Sequence, residues 1–182
     1  MGNQVQYIRP STQKPVEMEL FELDDLISGL GIDPIDNDLD KLYSVFKRDF
    51  EDQQLIINGL KVKVILKSSI VSGYESYPET FVHLITRKGS SSKRVFDRHR
   101  ANKIHWIRCI LENRNEDEIT YFQYPEPDGI LRDYFWYKEG DFLVIMEQIT
   151  PDYLIVTSFH IDDNQNKVYF EKKEKWYRDN RT

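Results

Sequence analysis

The chain of 182 residues has a single cysteine, Cys109. No disulfide can form within it, and no cysteine-based zinc site can be built. It also lacks an apolar run of membrane-spanning length, and its first ten residues lack the basic-then-apolar order of a secretory signal. We therefore expect a cytoplasmic protein without membrane association.

Several motifs that carry metal or phosphate chemistry are also missing. The sequence has no H-E-x-x-H and no G-x-S-x-G, and its GSSSK stretch lacks the glycine spacing of a phosphate-binding loop. Acidic residues fall in surface-like runs rather than in pairs spaced for a metal. We therefore expect neither a metal ion nor a cofactor.

Charge is distributed unevenly along a chain whose net charge is −6. Residues 83–114 contain nine basic and two acidic side chains, a net charge of +7, whereas residues 1–52 contain five basic and twelve acidic ones, a net charge of −7. Such asymmetry indicates a localised anion-binding face on an otherwise acidic protein. A solvated helix face with scattered counter-charges would explain it without function.

The first 52 residues read as an acidic helical extension. Residues 1–17 are polar and predicted to be extended or disordered. Apolar residues at helical spacing predict one helix over 19–30 and a second from Asn37 or Asp38 through Phe50. At Asp52 the periodicity changes, so we place a domain boundary there: an extension over 1–52 and an α+β domain over 53–182.

Within that second domain the pattern predicts one long helix and many strands. The pair Asn58-Gly59 predicts a type I′ hairpin, and the β-branched content of 80–87 favours a strand. Residues 97–113 predict a basic helix with Asp97 as N-cap. Five strands follow, over 118–124, 133–138, 141–148, 152–161 and 167–176, separated by turn-forming residues. The fold class is α+β, with N-terminal helices and a basic central helix packed on a mostly antiparallel sheet.

The segments ETFVHLITRK, RVFDRHRANKIHWIRCILEN, FLVIM and YLIVTSFHI resemble the nuclease superfamily that groups barnase, EndoU, the colicin RNases and RelE (the BECR fold), and in particular its phage-associated branch. A helix of the form R-x-x-R-A-x-x-I-x-W-I is matched from Arg100 to Ile107, although Asp97 replaces its first arginine. A strand carrying Thr-[Ser/Ala]-[Phe/Tyr] is matched by residues 157–159. The resemblance covers two-thirds of the chain and implies a metal-independent endoribonuclease of the toxin or phage-effector kind. RNA and a cognate inhibitor or immunity protein are the implied partners.

Cleavage of RNA without metal uses the 2′-OH as an internal nucleophile on phosphorus. Imidazoles suit the two proton transfers, and guanidinium or hydroxyl groups suit the phosphorane. The candidate catalytic residues are His83, His160, Thr157 and Arg98. The candidate substrate-binding residues are Arg87, Arg100, Ser158, His105 and Trp136. Which histidine is acid and which is base is not readable from the sequence.

Each of these residues also has a structural explanation. His83 could bond at a sheet edge, His160 could be a solvated strand end, and threonine suits a strand whatever its function. An inactive relative that binds RNA or protein on the same fold is therefore the alternative. A dimeric adaptor that uses the aromatic strands as an interface is a third hypothesis. Convergence of the two histidines, Thr157 and an arginine in one cleft would favour the enzyme.

Overall fold

The structure, a computed structural model, describes residues 19–20 and 23–181. Five α-helices and eight β-strands alternate along the described chain. The helices are α1 (Asp36–Phe46), α2 (Glu79–Ile85), α3 (Arg98–Ala101), α4 (Trp106–Glu112) and α5 (Asn164–Asn180). The strands are β1 (Ile56–Ile57), β2 (Leu60–Lys63), β3 (Thr86–Lys88), β4 (Arg94–Phe96), β5 (Ile119–Pro125), β6 (Leu131–Tyr137), β7 (Phe142–Ile149) and β8 (Asp152–His160). A π-helical turn, Lys47–Glu51, continues α1.

Six of the strands form one sheet in the order β1-β2-β8-β7-β6-β5, and β3 and β4 form a separate hairpin. Only the β2–β8 pair is parallel, so the predicted α+β class with a mostly antiparallel sheet is confirmed. Asn58 and Gly59 have the positive φ angles that a type I′ turn requires and join β1 to β2 as predicted. Residues near both ends of the strand order line one pocket, which shows that the sheet is strongly curled.

The sheet buries a different hydrophobic cluster on each face. The main core lies under α1, α2 and α4 and contains Phe46, Phe81, Ile107 and, from the sheet, Val144. The second core lies under α5 and is centred on Phe170. Because α1 shares the main core with α2 and α4, its side chains pack on the same body as the residues after Asp52; the boundary at that residue stays a prediction.

Two N-terminal predictions have different outcomes. The helix predicted from Asn37 or Asp38 is confirmed as α1 and its π-helical continuation. The helix predicted over 19–30 is wrong, because residues 23–30 form bends and a turn held by Asn102. The Asn102 side chain accepts from Ile27 N at 2.7 Å and donates to Ile27 O at 3.0 Å. The backbone groups of Ile27 therefore bond to a distant side chain instead of to a helical turn. Residues 1–17, predicted to be extended or disordered, lie outside the described residues.

The predicted basic helix over 97–113 is divided into α3 and α4 by a turn at residues 102–105. Its predicted start is confirmed, since the Asp97 carboxylate accepts from the backbone N–H groups of His99 and Arg100. The predicted alignment of Arg98 with His105 on one polar face is wrong. Arg98 is exposed, whereas His105 is buried at the start of α4.

Two strand predictions are also wrong. Residues 79–85 form α2. All of its side chains except Glu79 and His83 are buried, so the sequence shows no continuous polar stripe that would indicate a helix. Residues 167–176 lie within α5, which Asp163 caps. The face of α5 that packs on the sheet contains Phe170 and also the charged residues Lys173 and Glu174, which are buried. Because these two residues are not apolar, the apolar residues of the segment do not repeat at helical spacing. The other four predicted strands of the meander are confirmed.

None of the helices in the described part of the chain combines the length and the apolar character needed to cross a bilayer.

Candidate functional site

A groove of about 680 Å³ lies between α2, β4 and the loop over residues 67–72. Its wall is partly apolar, through residues such as Val82, and otherwise polar or charged. The charged and titratable side chains that line it are Lys67, Glu79, His83, Lys93 and Arg94. We call this cavity the His83 groove. A cavity of this size accommodates a nucleotide-sized ligand.

Glu79 and His83 lie on the same face of α2, because residues four apart in a helix are neighbours on its surface. Burial is the main cause that lowers the pKa of His83 to about 4, and the nearby Arg94, Arg100 and Lys88 cations add to it. The imidazole is therefore neutral at physiological pH and able to accept a proton. A perturbed titratable group in a cleft is a marker of functional sites.

Arg94 is fixed rigidly at the groove. Its Nε donates to Thr86 Oγ1 at 2.7 Å, and its Nη2 donates to the carbonyl oxygens of His83 at 3.0 Å and Thr86 at 2.8 Å. The Thr86 hydroxyl in turn donates to Val82 O at 2.5 Å. This network ties β4 to the C-terminal end of α2, so a guanidinium and an imidazole are held at one wall of the groove.

Arg100 lies between the groove and the end of β8. Its Nη1 donates to Thr86 O at 3.3 Å, and its guanidinium carbon lies 5.2 Å from the centre of the Phe159 ring. It is close enough to His83 to contribute to that residue's lowered pKa, and burial lowers its own pKa. Arg100 therefore connects the element that carries His83 to the strand that carries His160.

His160 does not line the groove but pairs with another imidazole. Its ring stacks on that of His99 with centroids 6.2 Å apart and an interplanar angle of 29°. Burial is the main cause that lowers the pKa of His160, followed by Lys103 and His99. His99 and Arg98 line a smaller pocket of about 230 Å³ together with Asp25 of the N-terminal segment.

The register of β8 separates its candidate side chains. Ser158 and His160 pair with Val144 and Phe142 of the main core, whereas Thr157 pairs with Ile145 of the second core. Paired residues of an antiparallel sheet project to the same face. The Thr157 side chain therefore projects to the α5 face, away from His160, and the prediction that the two share a site is wrong. Ser158 is only 1% exposed, so its predicted contact with substrate is also wrong.

Two further predicted substrate contacts are excluded by burial. Trp136 is completely buried in the second core and cannot stack on a base. His105 is buried beneath α4, and burial lowers its pKa. The sequence pattern around these two residues does not show whether their side chains face the core or the surface.

The remaining predicted cations lie on the surface near the groove. Arg87 is exposed, with its Nε 3.6 Å from an Asp97 carboxylate oxygen, and Arg100 lies 3.5 Å from the same oxygen. Arg98 is exposed and donates from Nε to His99 Nε2 at 3.4 Å. Asp97 thus caps α3 and pairs with two guanidiniums.

Sequence reasoning missed several groove residues and His99. The missed members of the groove are Lys67, Glu79, Lys93 and Arg94. The spacing of Glu79 and His83 is informative only once 79–85 is read as a helix, since in a strand residues four apart share a face but lie about 13 Å from each other. Nothing in the local sequence indicated that His99 would meet His160, because they are 61 positions apart and come together only when α3 packs on β8.

Within residues 19–20 and 23–181, no three histidine, cysteine, aspartate or glutamate side chains converge in a way that could hold a metal ion. No protein-family model, curated protein or solved structure matches the chain.

Proposed function

We propose that the protein is a metal-independent endoribonuclease that binds the scissile phosphodiester in the His83 groove. The observation that carries the proposal is the position of His83, a neutral imidazole that lines a 680 Å³ groove together with Lys67, Lys93 and Arg94. The resemblance of the α2–α4 and β8 segments to the BECR superfamily supports the same reaction class.

In this reaction the RNA 2′-oxygen attacks the adjacent phosphorus while His83 accepts the 2′ proton. Lys67, Lys93 and Arg94 stabilise the added negative charge of the phosphorane. The bond from phosphorus to the 5′-oxygen then breaks, and the leaving oxygen takes a proton from one of the two ammonium groups in the groove. The products are a 2′,3′-cyclic phosphate and a free 5′-hydroxyl. His83 is uncharged before the reaction, so we assign it the part of the base and not of the acid; its pKa of about 4 makes it a weak base at neutral pH.

The test is cleavage of total RNA and of a short synthetic RNA with EDTA present. We expect His83→Gln to reduce the cleavage rate by about 10²–10⁴-fold, the usual contribution of a general base. The control is Gln165→Ala, which changes an exposed glutamine on α5 outside the groove. Product ends are identified by their sensitivity to a cyclic phosphodiesterase. Loss of wild-type cleavage in EDTA, or full activity of His83→Gln, would contradict the proposal.

A further variant, His160→Gln, tests the role of His160 in the same assay. The sequence assigns it to proton transfer, but it lies beyond Arg100 and does not line the groove. If His160→Gln cleaves as fast as wild type, a groove lysine is the acid, and Lys67→Met and Lys93→Met then identify which one.

A second candidate, RNA binding without cleavage, is favoured by one observation. Of the predicted catalytic set only His83 lines the groove, and Thr157 projects to the other face of the sheet. Such a protein would bind RNA with an affinity that falls as salt rises, would lose affinity on Arg94→Gln, and would leave the RNA intact in every arm above. A toxin or phage-effector role and a protein inhibitor stay predictions from the resemblance alone.

A further inference from the structure

A second pocket, which shares no lining residue with the His83 groove, has a different chemistry. It has a volume of about 280 Å³ and lies at the end of the curled sheet where β8 begins. Its lining residues are Asn58, Leu60, Tyr121, Gln123, Asp133, Gln148 and Tyr153. We call it the Asp133 pocket. Tyr153 and His160 are seven residues apart on β8, so the two ends of this strand are separated by about 23 Å.

The floor of the Asp133 pocket is a buried carboxylate with a complete set of donors. Asp133 is only 6% exposed, and it accepts from Tyr121 Oη at 2.6 Å, Tyr153 Oη at 2.5 Å and Gln123 Nε2 at 2.8 Å. Burial and the bond to Asp133 raise the pKa of both phenols, so both stay protonated as donors. Because the carboxylate is already satisfied, it has no need of a metal or an amine as partner.

The rim supplies amide groups instead of charges. Gln123 is oriented by the bond from its Nε2 to Asp133, which leaves its carbonyl oxygen as an acceptor. Gln148 is exposed at the edge, and Asn58 is held by Arg114, whose Nη2 donates to Asn58 Oδ1 at 3.3 Å. The lining contains one carboxylate and no cation, which disfavours a phosphate group.

Tyr121 adds a flat apolar surface. It is 40% exposed even though its hydroxyl is bound to Asp133. Carboxamide side chains read the edges of bases through paired donors and acceptors, and aromatic rings stack on base faces. We propose that the Asp133 pocket binds a single nucleobase, stacked on Tyr121 and bonded at its edge by Gln123 and Gln148.

The pocket volume fits one heterocyclic base and not a whole nucleotide with its phosphate. Base recognition at this pocket does not depend on whether the His83 groove cleaves RNA. The two proposals therefore fail independently.

The test uses the full chain and the four ribonucleosides, which have no phosphate for the groove to bind. Binding is measured by calorimetry and by amide chemical shifts. We expect at least one nucleoside to bind saturably, and its affinity to fall about tenfold in Gln148→Ala, the loss expected for one bidentate contact. Tyr121→Ala should weaken the same binding, whereas Tyr121→Phe, which keeps the ring, should weaken it less.

Matched controls separate this site from the rest of the protein. Gln165→Ala changes an exposed glutamine on α5 and should leave binding unchanged, as should His83→Gln in the groove. Free ribose should not compete. The proposal is overturned if no nucleoside binds saturably, if ribose competes as well as the nucleoside does, or if Gln148→Ala and Tyr121→Ala both bind like wild type.

Discussion

The rings of His99 and His160 stack 6.2 Å apart, although one belongs to the start of α3 and the other to the end of β8. Two imidazoles at this distance cannot both be protonated without mutual repulsion. Arg98 adds a cation on the His99 side by donating to its Nε2. The charge of His99 is therefore one of the causes that lower the pKa of His160, after burial and Lys103.

The first prediction concerns this coupling. Burial, Lys103 and His99 together lower the pKa of His160. In His99→Gln the third of these causes is removed, so the pKa of His160 should rise, although burial and Lys103 should still hold it below 6.5. The measurement is an NMR titration of the imidazole carbon-bound protons. An unchanged titration of His160 in the variant would show that the two rings do not interact in solution.

The second prediction is a dependence of stability on pH caused by His83. The folded state keeps this imidazole neutral down to about pH 4, whereas in the unfolded chain it takes a proton near pH 6.5. As pH falls through this window the unfolded chain binds a proton that the folded one does not, so the free energy of unfolding decreases. Above pH 6.5 and below pH 4 this contribution no longer changes.

His83→Gln should therefore lose less stability between pH 7 and pH 4 than the wild type. The difference should be roughly 1–2 kcal/mol, once solvent screening of a partly exposed group is taken into account. Urea unfolding at a series of pH values measures it. Gln165→Ala, at an exposed position on α5, is the control and should follow the wild type. Parallel pH profiles of wild type and His83→Gln would contradict the lowered pKa.

Much of the sheet could be predicted from the sequence because its signals are local. Turn residues mark each reversal, and Asn58-Gly59 supplies the two positive φ angles that a tight hairpin needs. The capping role of Asp97 is local in the same way. These features depend on residues within a few positions of one another, and the structure confirms them.

The errors arise where contacts distant in sequence replace local preference. Asn102 holds the backbone of Ile27, 75 positions away, and so prevents a helix that the leucine spacing favours. The α5 helix buries Lys173, whose partners come from β6 and the loop before it, so a periodicity based on apolar residues misses it. Thr157 was assigned to the site from the Thr-Ser-Phe resemblance, although it lies three positions from His160 in regular pairing, and residues an odd number apart on a strand project to opposite faces.

The third prediction tests the attachment of the N-terminal segment. Asn102→Ala removes two hydrogen bonds to Ile27; it leaves the Ile27 N–H unpaired in a partly buried place, while the Ile27 carbonyl oxygen keeps only the bond from Leu30 N at 3.4 Å. We expect a loss of about 2–3 kcal/mol in the free energy of unfolding. Asn115→Ala, at an exposed turn position, is the control and should change it by less than about 0.5 kcal/mol. Equal stabilities of the two variants would show that the segment over 23–30 is not docked in solution.

The fourth prediction concerns the ion pair that attaches α5 to the sheet. Lys173 is 4% exposed; its ammonium donates to Glu126 at 2.6 Å and to the Tyr134 hydroxyl at 2.9 Å, and these bonds raise its pKa although burial opposes them. Removing one partner of such a pair leaves the other charge unpaired. Lys173→Met should therefore lower the free energy of unfolding by about 3–5 kcal/mol.

Two further variants show whether the pairing or the packing causes this loss. Lys172→Met changes the exposed neighbour on the same helix and should have almost no effect. The double variant Lys173→Met with Glu126→Gln removes both charges, so it should recover a large part of the stability lost in Lys173→Met alone. If the double variant is instead as unstable as the sum of the two single variants, the charges do not interact. The stability of α5 on the sheet would then come from Phe170 and the ring contacts of the second core.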